Sequence, residues 1–104
     1  ERANKMQRMI NGTLYNTHET TTLAECDHYS AAGTYTGTTA LELALNGNLL
    51  LHTCSNGQDF SLRDSLRLCS RYDAICELDN MASDDEQTAL LIQLGLIKRD
   101  EAQS

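Results

Sequence analysis

The stretch ALELALNGNLLLH, residues 40–52, constrains the fold more than any other part of the chain. Leu, Ala and Glu favour helix, yet Leu41, Leu43 and Leu45 alternate with Glu42 and Ala44. That period of two places three leucines on one face of a strand. Asn46-Gly47 tolerates positive φ at both central positions of a type I′ turn. Beyond it Leu49, Leu51 and Thr53 alternate with Leu50, His52 and Cys54. A helix carried through Gly47 would lose about 1 kcal/mol there, and each arm is too short to be a stable helix alone. The pattern therefore predicts a hairpin, with strands near 38–45 and 48–54 joined by a two-residue turn.

Elements of the same kind precede it. Asn11-Gly12 between Ile10 and Tyr15 reads as a second tight hairpin turn. The β-branched run from Thr20 to Cys26 reads as a strand, Asp27 to Gly33 as a loop, and Thr34 to Thr39 as the start of the strand that reaches the leucines. After Ser55-Asn-Gly57 the pattern changes. Ser61 with Asp64 approximates a capping box. Leu62, Leu66 and Cys69, with Leu68 at the edge, then form the apolar stripe of a helix, and Arg63, Arg67 and Arg71 line another face of it. Tyr72 to Leu78 alternates as a last strand, with Ala74, Cys76 and Leu78 on one side. A second capping box, Ser83-Asp-Asp-Glu86, opens a closing helix that ends at Gly95. The predicted class is α+β: a small antiparallel sheet around the Asn-Gly hairpin with two helices packed on it.

A chain of 104 residues supports one domain, placed here at residues 9–97. Residues 1–8 and 98–104 are polar and unpatterned tails. The chain does not begin with Met, which points to processing, with Met6 and Met9 as candidate native starts. No apolar run approaches the ~18 residues that span a membrane, and no apolar segment follows the basic start as a secretion signal would. With no Trp, no Pro and one Phe, the core must be built from Leu, Ile and Ala.

Fifteen Asp and Glu against eight Lys and Arg leave a net charge of −7. Phosphate backbones are gripped by clustered Lys and Arg, but here the basic residues between the tails are only Arg63, Arg67 and Arg71. Direct binding of nucleic acid or membrane is therefore not expected. A basic protein partner suits the charge better. Asp84, Asp85 and Glu86, with Asp73, Glu77 and Asp79 beside them, are the candidate partner-binding residues. Capping and solubility are the ordinary roles of such acids.

Catalytic signatures are sparse. Four cysteines and three histidines include Cys26-x-His28 and His52-x-Cys54, pairs that on strands would each project to one face. A Cys2His2 zinc site follows only if the two pairs converge, and the spacing lacks a C-x2-C knuckle. Core packing is the plainer role for a cysteine. Without a secretion signal the thiols are expected to be reduced. No nucleophile elbow, H-E-x-x-H or phosphate loop is present, and the acidic run lacks the alternating ligands of a calcium loop. The expectation is a protein that is not an enzyme and needs no cofactor or metal.

Met9-Ile-Asn-Gly-Thr-Leu-Tyr-Asn-Thr17 resembles the opening I-N-G-x-x-Y-x-T of a group of small phage and mobile-element proteins. The likeness continues through Leu50-Leu-His-Thr-Cys-Ser-Asn-Gly57, similar to an F-L-H-G-E-G-G turn without its glycine-glutamate run. It ends with Ile75-Cys-Glu-Leu78 and Ser83-Asp-Asp-Glu-Gln-Thr-Ala89. The resemblance implies a protein of the bacterial host cytoplasm that inhibits a defence complex, in the manner of an anti-CRISPR protein. Its implied partner is a larger bacterial protein with a basic groove, such as a CRISPR effector. The competing expectations are a structural or homodimerising module and a small zinc-stabilised interaction domain.

Overall fold

A computed structural model describes residues 6–56 and 64–99. Among these residues six strands and then two helices follow one another: β1 (Gln7–Ile10), β2 (Thr13–Asn16), β3 (Thr21–Tyr29), β4 (Tyr35–Leu43), β5 (Leu49–Ser55), β6 (Ser65–Cys69), α1 (Arg71–Leu78) and α2 (Asp85–Gln93). β1 and β2 form a two-stranded ribbon, and β3 to β6 form an antiparallel meander in chain order. The class is the α+β arrangement expected.

The turns explain the meander. Asn11 and Gly12 both take positive φ, 52° and 83°, between the paired Ile10 and Thr13. That is the two-residue type I′ turn its dipeptide favours. The Asn46-Gly47 hairpin also forms, but with three loop residues. Ala44 N–H donates to the Asn48 carbonyl at 2.9 Å, Gly47 N–H donates to the Ala44 carbonyl at 3.0 Å, and only Gly47 has positive φ, at 90°. This is a tight turn closed by a left-handed glycine, the common three-residue alternative. β3 and β4 are joined the same way: Ser30 N–H bonds to the Thr34 carbonyl, Gly33 N–H to the Ser30 carbonyl, and Gly33 has φ of 87°.

Leu49-Leu50-Leu51 is a continuous apolar run because β5 is covered on both faces. On one side Leu41, Leu49 and Leu51 pack with Leu23, Cys69, Ala74, Leu91 and Leu96, so both helices sit there. On the other, Leu50 and Leu66 pack with Tyr15 and Ala44, joined by Ile10 from the ribbon and by Met6 just before it. The order of layers is helices, four-stranded sheet, two-stranded ribbon. Each fully buried leucine contributes about 1.5–3 kcal/mol, and Leu23, Leu41, Leu50, Leu66 and Leu91 are all essentially inaccessible. Gln7 and Arg8, which composition assigns to the tail, belong to β1: they pair with Asn16 and Tyr15, and the Arg8 guanidinium donates to the Leu66 carbonyl at 2.8 Å.

Three local expectations are overturned. Residues 65–69 are a strand, not a helix; Leu66 and Leu68 share one face at period two and Cys69 takes the other. The Arg63, Arg67 and Arg71 helix face therefore does not exist: Arg67 is on β6 and Arg71 starts α1. Ser61, Leu62 and Arg63 lie outside the described residues, and Asp64 instead accepts from the Ser55 N–H at 2.6 Å. Residues 72–78 are a helix, not a strand. Its inward residues Ala74 and Leu78 fit both periods, but a strand would also bury Cys76, which is exposed. Finally, Asp27 to Tyr29 extend β3 rather than a loop, held by the Asp27–Thr38 carboxylate–hydroxyl bond of 2.8 Å.

Candidate interaction surface

α1 is set by its own cap. Ser70 has extended backbone and its hydroxyl accepts from the Asp73 N–H at 3.0 Å, with the Asp73 carboxylate in the first turn. Ser70-x-x-Asp73 was thus the readable start signal for this helix. The helix turns Ala74 and half-buried Leu78 towards the sheet. Its opposite face presents Tyr72, Ile75, Cys76 and Asp79, spaced i, i+3, i+4 and i+7 along one stripe. Tyr72 is 75 % exposed and Ile75 43 %. Hydrogen bonding to the Cys76 side chain, the charge of that thiol, burial and the Asp73 carboxylate together push the Tyr72 phenol above its usual range.

The six acids chosen from the sequence all fall on this layer. Asp73 and Glu77 are neighbours on α1 at i and i+4, Asp79 is its C-cap, and Asp84, Asp85 and Glu86 open α2. All but half-buried Glu77 are exposed. Between residues 72 and 97 these six are the only charged side chains, so this segment carries nearly the whole of the net −7. The connection between the helices is pinned to the sheet edge: Glu25 and Ala82 exchange backbone hydrogen bonds of 3.0 and 2.8 Å. The Gln87 side chain also donates to the Thr22 carbonyl at 3.3 Å. The acidic layer is therefore held on the fold at several points.

Not every acid is equally available. The capping box of α2 lies one residue later than expected, at Asp84 and Gln87. Asp84 Oδ1 accepts from Gln87 N–H at 2.8 Å, and Gln87 Oε1 accepts from Asp84 N–H at 2.9 Å. Asp84 is thus committed to the fold, while Asp85 and Glu86 occupy the first turn, where the dipole favours their charge. Asp79 and Glu77 stand at the other end of a helix, where that dipole disfavours negative charge.

Comparison with protein-family models, curated proteins and solved structures found no match.

The Cys and His pairs separate rather than converge. The register aligns Cys26 with Thr39 and Thr53, but His52 with Ala40 and Glu25, so Cys26 and His28 lie on the helix-side face and His52 and Cys54 on the ribbon-side face. His28 Nε2 lies 2.7 Å from the Thr39 hydroxyl, which in turn lies 3.1 Å from that of Thr53. Across the sheet, Cys54 Sγ lies 3.3 Å from His52 Nε2, and both residues are buried. A single Cys2His2 zinc site is excluded by this geometry. Among the described residues no three His, Cys, Asp or Glu side chains are grouped to hold a metal, and no helix among them is long and apolar enough to cross a membrane.

Sequence reasoning missed Glu42. It is 2 % exposed on β4, and its carboxylate accepts from the hydroxyls of Thr20 at 2.9 Å and Thr22 at 3.0 and 3.1 Å. The alternation that identified β4 implied a solvated Glu42. What buries it is the ribbon side of the sheet, a layer that strand alternation alone does not reveal.

Proposed function

We propose that this chain is a non-enzymatic binding protein that docks the outward face of α1 and the first turn of α2 against a basic groove of a larger bacterial protein. The observation that carries the reading is the setting of Tyr72 and Ile75. Two large side chains stand exposed on α1, in a segment whose charged residues are six carboxylates with no Lys or Arg. Tyrosine is a frequent anchor of protein interfaces, and surrounding charge of one sign steers a partner of the opposite sign. Grooves that hold nucleic acid are basic, so an acidic protein of this kind competes with phosphate for them. Together with the resemblance of Met9–Thr17 and the segments after it, this makes a nucleic-acid-handling defence complex of the host cytoplasm, a CRISPR effector included, the proposed class of partner.

The test separates charge from folding. Asp79→Lys removes a carboxylate from a helix C-terminus, so it should stabilise α1 by about 0.3–1 kcal/mol while slowing association with the partner. Asp73→Lys and Asp85→Lys should slow association too. Capture from bacterial lysate should recover a partner with the wild-type chain and lose it with the triple variant, and the association rate should fall as salt rises. Recovery of the same partner by the triple variant, or binding indifferent to salt, would overturn the proposal. The partner's nucleic acid should be displaced by the wild-type chain.

A further inference from the structure

Arg71 is a cation seated on backbone carbonyls. Its guanidinium donates to the carbonyls of Leu94 at 3.1 Å and Gly95 at 3.2 Å, and forms no ion pair with a described residue. The two carbonyls end α2, whose last turn contains no basic residue of its own, so Arg71 supplies from α1 the positive charge that this terminus favours. Gly95 leaves room for it: a Cβ there would stand 3.3 Å from Nη2. A guanidinium has five N–H donors, of which two bond to described residues.

Arg71 borders a cavity of about 340 Å³ between the β4–β5 turn and the end of α2. Its lining includes Leu43, Leu49, Leu94, Leu96 and Cys69 beside Arg71. Leu49, Cys69 and Leu96 are buried, so the floor is core, and burial pushes the Cys69 thiol up from its usual range. Small-molecule sites are apolar concavities of roughly 300–1,000 Å³ with a few placed polar groups. This cavity reaches that range, whereas the one between β2 and the β4–β5 turn, about 200 Å³, does not.

We propose that this cavity is a binding site for a small amphipathic carboxylate, with its alkyl chain on Leu43, Leu49, Leu94 and Leu96 and its carboxylate on the free edge of the Arg71 guanidinium. Guanidinium and carboxylate are matched fork to fork, and the apolar walls select the tail. Arg71 opens the same helix whose outward face carries Tyr72 and Ile75, but occupancy of the cavity does not depend on the partner proposed above.

The probe is sodium octanoate below its micelle-forming concentration, followed by the methyl resonances of the cavity leucines and compared with 1-octanol and octylammonium. Octanoate should bind at least about tenfold tighter than octanol, the ratio expected of one charge-assisted hydrogen bond, and octylammonium more weakly still. Arg71→Gln should abolish the octanoate preference and leave octanol binding in place, and Arg71→Lys should keep part of it. Leu43→Phe, which fills the cavity and leaves the charge, should weaken octanoate and octanol alike. Equal binding of the three probes by the wild-type chain, methyl shifts confined to other leucines, or no shift at all would overturn the proposal, whatever the stability of the variants.

Discussion

Gly47 isolates the energetics of one backbone angle. Its φ is 90°, and a Cβ added there would meet nothing within 4 Å, so a substitution carries a conformational term and no packing term. For an L residue the left-handed region costs roughly 1–2 kcal/mol. Alanine returns about 0.4–1 kcal/mol of that by restricting the unfolded chain. Gly47→Ala should therefore destabilise the domain by about 1 kcal/mol, and Gly47→Val by more, since a β-branched residue is poorly tolerated at positive φ. Gly33 closes the other three-residue loop at φ 87°, also in open space, so Gly33→Ala should cost the same. The two turns lie at opposite ends of β4, and the double variant should lose the sum. D-alanine at position 47, introduced by semisynthesis, adopts this φ without strain and should stabilise by about 0.4–1 kcal/mol. Urea melts with a common slope measure all five. Gly47→Ala as stable as the wild type, or D-alanine as costly as L-alanine, would refute the argument.

Other perturbations read other links of the same chain. Gly95→Ala should cost more than Gly47→Ala in the same melt, because positive φ, 77°, is compounded by the 3.3 Å approach to Arg71. Thr22→Val, which keeps shape and removes a donor to the buried Glu42 carboxylate, should destabilise by about 1–3 kcal/mol, measured by thermal unfolding. The four thiols are free, so alkylation followed by mass spectrometry should modify exposed Cys76 first, then half-buried Cys26, with Cys54 and Cys69 last. Because burial raises the Cys69 pKa, its thiolate forms only at higher pH than that of an ordinary cysteine. Its modification should lag further behind that of Cys76 through the alkaline range in which an ordinary thiol is already ionised.

What was legible in the sequence, and what was not, divides along a physical line. Turns whose chemistry is carried by one dipeptide could be read: Asn11-Gly12 bends as its residues require, and Gly47 takes the positive φ expected of it. The number of loop residues at Asn46-Gly47 could not, because a two-residue and a three-residue turn both favour glycine at that place. The closing helix was readable because acids, a capping side chain and a terminal glycine agree over 83–95, with the box displaced by one residue. Residues 65–69 and 72–78 invite the inverse assignment, helix for the strand and strand for the helix, because short apolar runs satisfy both periods. Leu66 with Cys69 fits a helix and Leu66 with Leu68 fits a strand; Ala74 with Leu78 fits either. The deciding facts were Cys76, outward on a helix and inward on a strand, and Ser70-x-x-Asp73, a cap that competed with the Ser61-x-x-Asp64 pattern upstream. The inversion bears directly on the surface proposed for binding. As a strand, 72–78 would alternate Tyr72 and Cys76 with Asp73, Ile75 and Glu77 and bury half of them. As a helix it exposes Tyr72 and Ile75 together, beside Asp79, and aligns Asp73 with Glu77. The acids were visible in the sequence as charge, but the exposed pair Tyr72 and Ile75 beside them stands on one face only because α1 is helical.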